Sequence, residues 1–120
     1  MGKETGYEES LVSHSHPRLS NLKKFVSKLN QLSPVEKLEF LKNIDNKQLK
    51  IILEIFYNFI RGNLLVNQRS YKNLKKHKKL IYKFISRKTS SISKKKILKT
   101  LQGLNILCIL IPLAAKTLNI

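Results

Sequence analysis

The chain has no tryptophan, one cysteine, four glycines and three prolines in 120 residues. A single cysteine excludes a disulfide framework and a cysteine-based zinc site. Cys108 stands among Leu107, Ile109 and Leu110, the setting of an inert apolar thiol rather than a nucleophile. The largest absence is of negative charge: no carboxylate follows Glu54. Residues 1–54 carry nine bases against seven acids, whereas residues 55–120 carry fifteen bases and no acid, which together give the net +17. The basic half therefore lacks a general base or a carboxylate metal ligand. No glycine-rich phosphate loop, paired catalytic carboxylates or Ser-His-Asp set can be assembled either. The sequence does not read as an enzyme, and it implies no cofactor. The polar, acidic start (Glu4, Glu8, Glu9) argues against a secretory signal. Met1-Gly2 is not a myristoylation signal, because Gly6 stands where that motif wants Ser or Thr. His14 and His16 are too far in sequence from His77 to suggest a three-ligand metal site.

What is present is cationic charge, concentrated. Thirteen of the thirty-one residues from Arg69 to Lys99 are basic: Arg69, Lys72, Lys75, Lys76, Lys78, Lys79, Lys83, Arg87, Lys88, Lys94, Lys95, Lys96 and Lys99. An unneutralised run of this density raises a local potential of several kT and calls for a polyanion, either nucleic acid or an anionic membrane surface.

The length suits one small domain, and apolar spacing divides it. Residues 1–16 have little apolar content and read as a mobile tail. Residues 17–62 read as a helical platform. A first helix carries Leu22, Phe25, Val26 and Leu29 inward. Ser33-Pro34-Val35-Glu36 is a capping box opening a second helix, with Val35, Leu38, Leu41 and Phe40 directed to the core. Asp45 and Gln48 form another such box before the most apolar helix of the platform, the expected buried centre, and Gly62 is its left-handed stop. On that helix Lys47, Lys50, Glu54, Asn58 and Arg61 form one wet stripe, so Glu54 and Asn58 are expected to face solvent.

Residues 63–100 are the basic part. Asn67 or Ser70 caps a helix expected to run to about Lys88, a rod of roughly 30 Å. Wound at about 100° per residue, it gathers Arg69, Lys72, Lys75, Lys76, Lys79, Lys83 and Arg87 on one face. Tyr71, Leu74, Ile81 and Ile85 fall opposite, and Lys78 lies at the apolar edge. One serine of Thr89-Ser90-Ser91-Ile92-Ser93 caps a second basic helix with Lys94, Lys95, Lys96 and Lys99; these hydroxyls are also candidates for phosphorylation. Residues 101–120 form an apolar end. Its uncharged run from Thr100 to Ala115 is interrupted by Pro112 and is shorter than the ~20 residues of a spanning helix. Leu104, Ile106, Leu107, Ile109, Leu110, Ile111 and Leu113 either dock on the core or lie at a membrane interface. The expected architecture is all-α: four to six helices around a buried central helix, with a long basic amphipathic helix and an apolar C-terminal helix.

Eleven lysines against two arginines make up the basic stretch. Lysine is a compact point charge without the planar fork that reads guanine, so the expected binding is to phosphate, with little sequence preference. Gln68 and Asn73 are too few to read bases. The candidate nucleic-acid-binding residues are Arg69, Lys72, Lys75, Lys76, Lys79, Lys83, Arg87, Lys88, Lys94, Lys95, Lys96 and Lys99.

Three segments resemble a known family: Glu54-Ile55-Phe56-Tyr57-Asn58-Phe59-Ile60-Arg61-Gly62-Asn63, Leu74-Lys75-Lys76-His77-Lys78-Lys79-Leu80, and Ser93-Lys94-Lys95-Lys96 before the apolar end. Over residues 48–116 the chain is similar to a small basic protein of adintoviruses and Maverick/Polinton elements, which is found as an endogenous viral element in animal genomes. That family in turn looks like the adenovirus core protein X precursor, the source of the mu peptide. The resemblance implies a virion core component in the host nucleus that condenses double-stranded DNA beside other virion proteins and is matured by a viral cysteine protease. Leu101-Gln102-Gly103-Leu104 approaches the left side preferred by such a protease, with Asn105 where glycine is expected after the cut. Three other readings compete with DNA condensation. They are a membrane-active protein inserting residues 104–115, a cellular RNA-binding protein of nuclear location, and a helix-turn-helix regulator, for which base-reading side chains are scarce.

Overall fold

A computed structural model describes residues 19–120. The expected tail 1–16, its histidine pair and the helix onset at Pro17 lie outside the described residues. Among those described, the chain is all-α, with α1 (Leu19–Gln31), α2 (Pro34–Lys42), α3 (Asn46–Ile60), α4 (Gln68–Lys75), α5 (Lys78–Ile85), α6 (Ser91–Lys99) and α7 (Leu101–Thr117). The count exceeds four to six because the long basic helix is two helices, α4 and α5, separated at Lys76–His77.

Local chemistry sets most boundaries. The Ser33 amide donates to Glu36 Oε1 at 2.8 Å while the Glu36 amide donates to Ser33 Oγ at 3.2 Å, with Pro34 at the first helical position. Asp45 and Gln48 repeat the arrangement at the start of α3. At its end Gly62 takes φ +77°, and Gly62 and Asn63 donate to Phe59 and Asn58 carbonyls at 3.0 and 2.8 Å. These bonds are the two of a Schellman stop, in which the left-handed residue favours glycine.

The expected buried helix shares the centre of the core with a second one. Helix α3 buries Leu49, Ile52, Leu53, Ile55, Phe56 and Tyr57, yet α7 is the hub, packing against α1, α2, α3, α4 and α6. The physical reason is that its exposed stripe is narrow. Leu101, Asn105, Pro112 and Lys116 are exposed at near-helical spacing, with Cys108 half-buried among them. Gly103, Ile106, Leu107, Leu110, Ile111, Leu113, Ala114 and Ala115 are buried on the remaining circumference. Pro112 is tolerated inside the helix because it sits on that stripe. The Cys108 carbonyl that loses its usual amide partner there is on the side where water can replace it.

The apolar end is therefore docked on the core, with Leu104 and Ile109 partly buried against it. Among the described residues no single helix is long and apolar enough to cross a membrane; α6 and α7 meet the criterion only as a pair, and the chain turns by 85° between them. Thr100 makes that turn. Its hydroxyl donates to the Ile97 carbonyl at 2.6 Å, closing α6, and accepts from the Gly103 amide at 3.0 Å, opening α7. A β-carbon on Gly103 would lie 2.0 Å from the Ile97 oxygen, so the two helix ends approach closely enough to require glycine there.

Three orientations differ from the sequence expectation. Val35, expected inward, is 72% exposed; it occupies the second position of a short helix whose apolar core contact is made nearly two turns later by Leu41. Glu54 and Asn58 are half-buried and linked, Asn58 Nδ2 donating to Glu54 Oε2 at 3.0 Å and to the Glu54 carbonyl at 2.8 Å. Asn63 Nδ2 extends the chain by donating to Asn58 Oδ1 at 3.0 Å. Tyr71, expected with the apolar residues of its helix, is half-exposed.

Candidate nucleic-acid interface

The basic helices are held on the platform by a few apolar anchors. Leu74 fixes α4, Ile81, Phe84 and Ile85 fix α5, and Ile97 and Leu98 fix α6. Phe84 meets Phe56 of α3 with ring centroids 4.4 Å apart. In α5 the anchors recur at three- and four-residue spacing, so Lys79 and Lys83 are left on the opposite, exposed side. Asn67 opens α4 by accepting from the Ser70 amide at 2.8 Å, and Ser90 opens α6 by accepting from Ser93 at 3.1 Å.

Of the candidate binding residues, Arg69, Lys72, Lys75, Lys76, Lys79, Lys83, Arg87, Lys88, Lys96 and Lys99 are exposed, as is Lys78, and Lys95 is half-buried. They do not form the 30 Å rod. Each of α4 and α5 has eight residues, about 12 Å of helix. A straight helix would stack Lys72, Lys76, Lys79 and Lys83 at three- and four-residue intervals, where each like-charged pair costs about 0.2–0.5 kcal/mol. Breaking it relieves part of that repulsion. Gln102 Nε2 lies 2.8 Å from His77 Nδ1, an amide donor to a ring nitrogen, and links the break to the first turn of α7. Lys83, Lys88 and Lys96, from three successive elements, line one open depression of about 450 Å³ together with Thr89 and Ser93.

Lys94 does not belong to this face. It is 7% exposed, and its Nζ donates to the Phe84 and Ser86 carbonyls, both at 2.6 Å. It also lies 5.9 Å from the Phe84 ring centroid. The ammonium thus satisfies carbonyls at the C-terminal end of α5, where a cation is favoured. Burial lowers its pKa to about 8. Lys37 plays the same part for α1. It is 6% exposed and donates to the Leu32 carbonyl at 2.6 Å. A signal for both was present. Lys94 stands three and four residues before Ile97 and Leu98, and Lys37 four before Leu41, the spacing of inward positions.

The described carboxylates are occupied elsewhere. Glu36 and Asp45 serve the capping boxes, Glu39 pairs with Lys42 at 2.9 Å, and Glu54 bonds Asn58. The Ser33 amide holds the Glu36 carboxyl below the usual carboxylate range. Among the described residues no group of three His, Cys, Asp or Glu side chains could hold a metal ion. Tyr71 and Tyr82, neither singled out by sequence reasoning as a binding residue, line a second depression together with Lys75 and Lys78. The arrangement can neutralise phosphates over a broad face and, at this depression, offers aromatic surface as well. Comparison of the chain with protein-family models, curated proteins and solved structures finds no match.

Proposed function

We propose that the protein is a non-enzymatic, largely sequence-independent DNA-binding and condensing protein of viral core type that acts by neutralising phosphates. The observation that carries this reading is the exposure of eleven of the thirteen bases between Arg69 and Lys99, with no carboxylate after Glu54 to neutralise them. Charge of this kind is attracted to any phosphate polymer, and lysine supplies most of it, so affinity without base readout is the expected result. The preference for double-stranded DNA over RNA, the place in a virion core and the nuclear location are supported by the family resemblance of residues 48–116. The membrane-active reading is less well supported, because the apolar side chains it would insert are buried in the core.

The test is duplex binding by the full chain as a function of salt. If six to ten bases meet phosphates, affinity falls by about 10³–10⁵ between 50 and 200 mM salt, equally for duplexes of different sequence. Lys83→Ala reduces the magnitude of the slope by about one unit, whereas Lys94→Met leaves it unchanged. Failure to bind at low salt, or binding indifferent to salt, overturns the reading. Competition with structured RNA at matched salt decides between the two polymers.

A further inference from the structure

The depression beneath the α4–α5 break is unlike the rest of the basic face. Leu74 and Ile81 are buried at its base, one from each helix, and Tyr71 and Tyr82 line it with 51% and 44% of their surface exposed. Lys75 and Lys78 complete the lining, and Lys72 and Lys79 are exposed close by in sequence. Its volume is about 130 Å³. Tyr71 leans on Phe59 with centroids 6.5 Å apart, and the Lys78 ammonium lies 5.8 Å from the Tyr82 centroid. Both rings are thus propped in place while keeping open surface.

We propose that this depression is a stacking site for an unpaired nucleobase, with Lys75 and Lys78 meeting the phosphates on either side of it. The chemistry of the lining selects the occupant. A single strand of nucleic acid alternates a planar apolar ring with an anion, and this site places aromatic faces between cations. Every base has a π-face, so the site is tolerant of sequence, in keeping with lysine point charges around it. A duplex conceals its rings inside the stack and can offer this site phosphates alone. The inference rests on the polyanion binding proposed above and adds to it a contribution from unpaired bases that charge cannot supply.

The test compares a thymidine oligomer with an abasic deoxyribose-phosphate oligomer of equal length, binding to the full chain at matched salt. The wild-type protein holds the thymidine oligomer roughly five- to a hundredfold more tightly. The oligomer also quenches tyrosine emission, which is readable because the chain has no tryptophan. In the Tyr71→Ala/Tyr82→Ala variant the two affinities converge, while the affinity for the abasic oligomer and the salt slope remain those of the wild type. Tyr71→Phe/Tyr82→Phe, which keeps the rings, keeps the difference. Equal binding of both oligomers by the wild type, with normal salt dependence, overturns the stacking site and leaves phosphate binding intact. A difference that survives the alanine variant overturns the assignment to this depression. Failure of the wild type to bind either oligomer overturns both readings. Should the double variant unfold, the single variants Tyr71→Ala and Tyr82→Ala carry the assignment, each narrowing the difference between the two oligomers.

Discussion

Gly103→Ala is a severe perturbation at a position where helix propensity alone forecasts a gain. An exposed glycine inside a helix gives up about 0.5–1 kcal/mol relative to alanine. At Gly103 the added β-carbon would meet the Ile97 carbonyl oxygen at 2.0 Å and its carbon at 2.9 Å. Carbon and oxygen tolerate about 3.3 Å, so α6 and α7 must separate by roughly an ångström at their joint. The oxygen cannot swing aside freely, since it accepts from the Thr100 amide at 3.1 Å and from the Thr100 hydroxyl at 2.6 Å. Overpacking of this kind costs about 1–3 kcal/mol, and loss of the Thr100 cap on the Gly103 amide about 0.5–2 kcal/mol. Net of propensity, the variant is destabilised by about 2 kcal/mol, lowering Tm by roughly 10 °C for a chain of this size. Urea and thermal unfolding followed by far-ultraviolet circular dichroism measure it. Gly62→Ala is the internal comparison: nothing lies within 4 Å of its added carbon, and the cost is the left-handed backbone alone, about 1–2 kcal/mol. A Gly103→Ala protein as stable as wild type, or more so, refutes the close approach of the two helices.

Further outcomes follow from the same structure. Lys94 titrates near pH 8 in a lysine side-chain NMR titration. The unfolded chain keeps that proton up to its ordinary value of about 10.4, so Lys94 makes folding more favourable as pH rises from about 8 to 10.4. Lys94→Met removes this rise, and a wild-type stability curve parallel to that of the variant through the window contradicts the burial. Ser33→Ala costs about 1 kcal/mol through loss of the α2 cap. The Glu36 carboxyl is held below its usual range in the folded chain. Its contribution is therefore present above the ordinary carboxylate range and lost as pH falls through its lowered value, and Glu36→Gln, which has no carboxyl to protonate, shows a smaller loss in acid. A chain truncated after Gln102 loses the helix against which α1, α2, α3, α4 and α6 pack. It shows no cooperative thermal transition, and its behaviour toward liposomes says nothing about insertion by the intact protein.

Boundaries in this chain are legible because they are short-range chemistry. Ser33 with Glu36, Asp45 with Gln48, and Gly62 after an apolar run each specify their bonds within three or four residues, and the structure has them. Helix faces were legible wherever apolar residues recur, as with Phe25, Val26 and Leu29. The failures involve competition between distant groups. Residue type places Lys94 in water while its spacing places it inside, and spacing prevails because two carbonyls at the end of α5 accept its protons. The break at His77 is met by Gln102, twenty-five positions away, a contact that no local pattern reveals. The rank of α7 over α3 was obscured by Pro112, which interrupts the hydrophobic run in sequence but faces solvent in the fold. Among the candidate site residues, the exposed charged side chains follow from residue type, whereas Tyr71 lines a depression beside Leu74 and Ile81, as its spacing foretells, yet keeps 51% of its surface exposed.

The helix on which most of the others lean is also the last of the seven to be synthesised. During translation the lysine-rich segments emerge before their keystone exists, so the nascent chain presents its cations as an unstructured polymer and its apolar stripes uncovered. Complete folding must await this helix. A chaperone, or the polyanion proposed above as partner, that engages residues 69–99 in this interval meets them before α7 completes the core. The order in which the polypeptide is made thereby sets when these cations are first held in place.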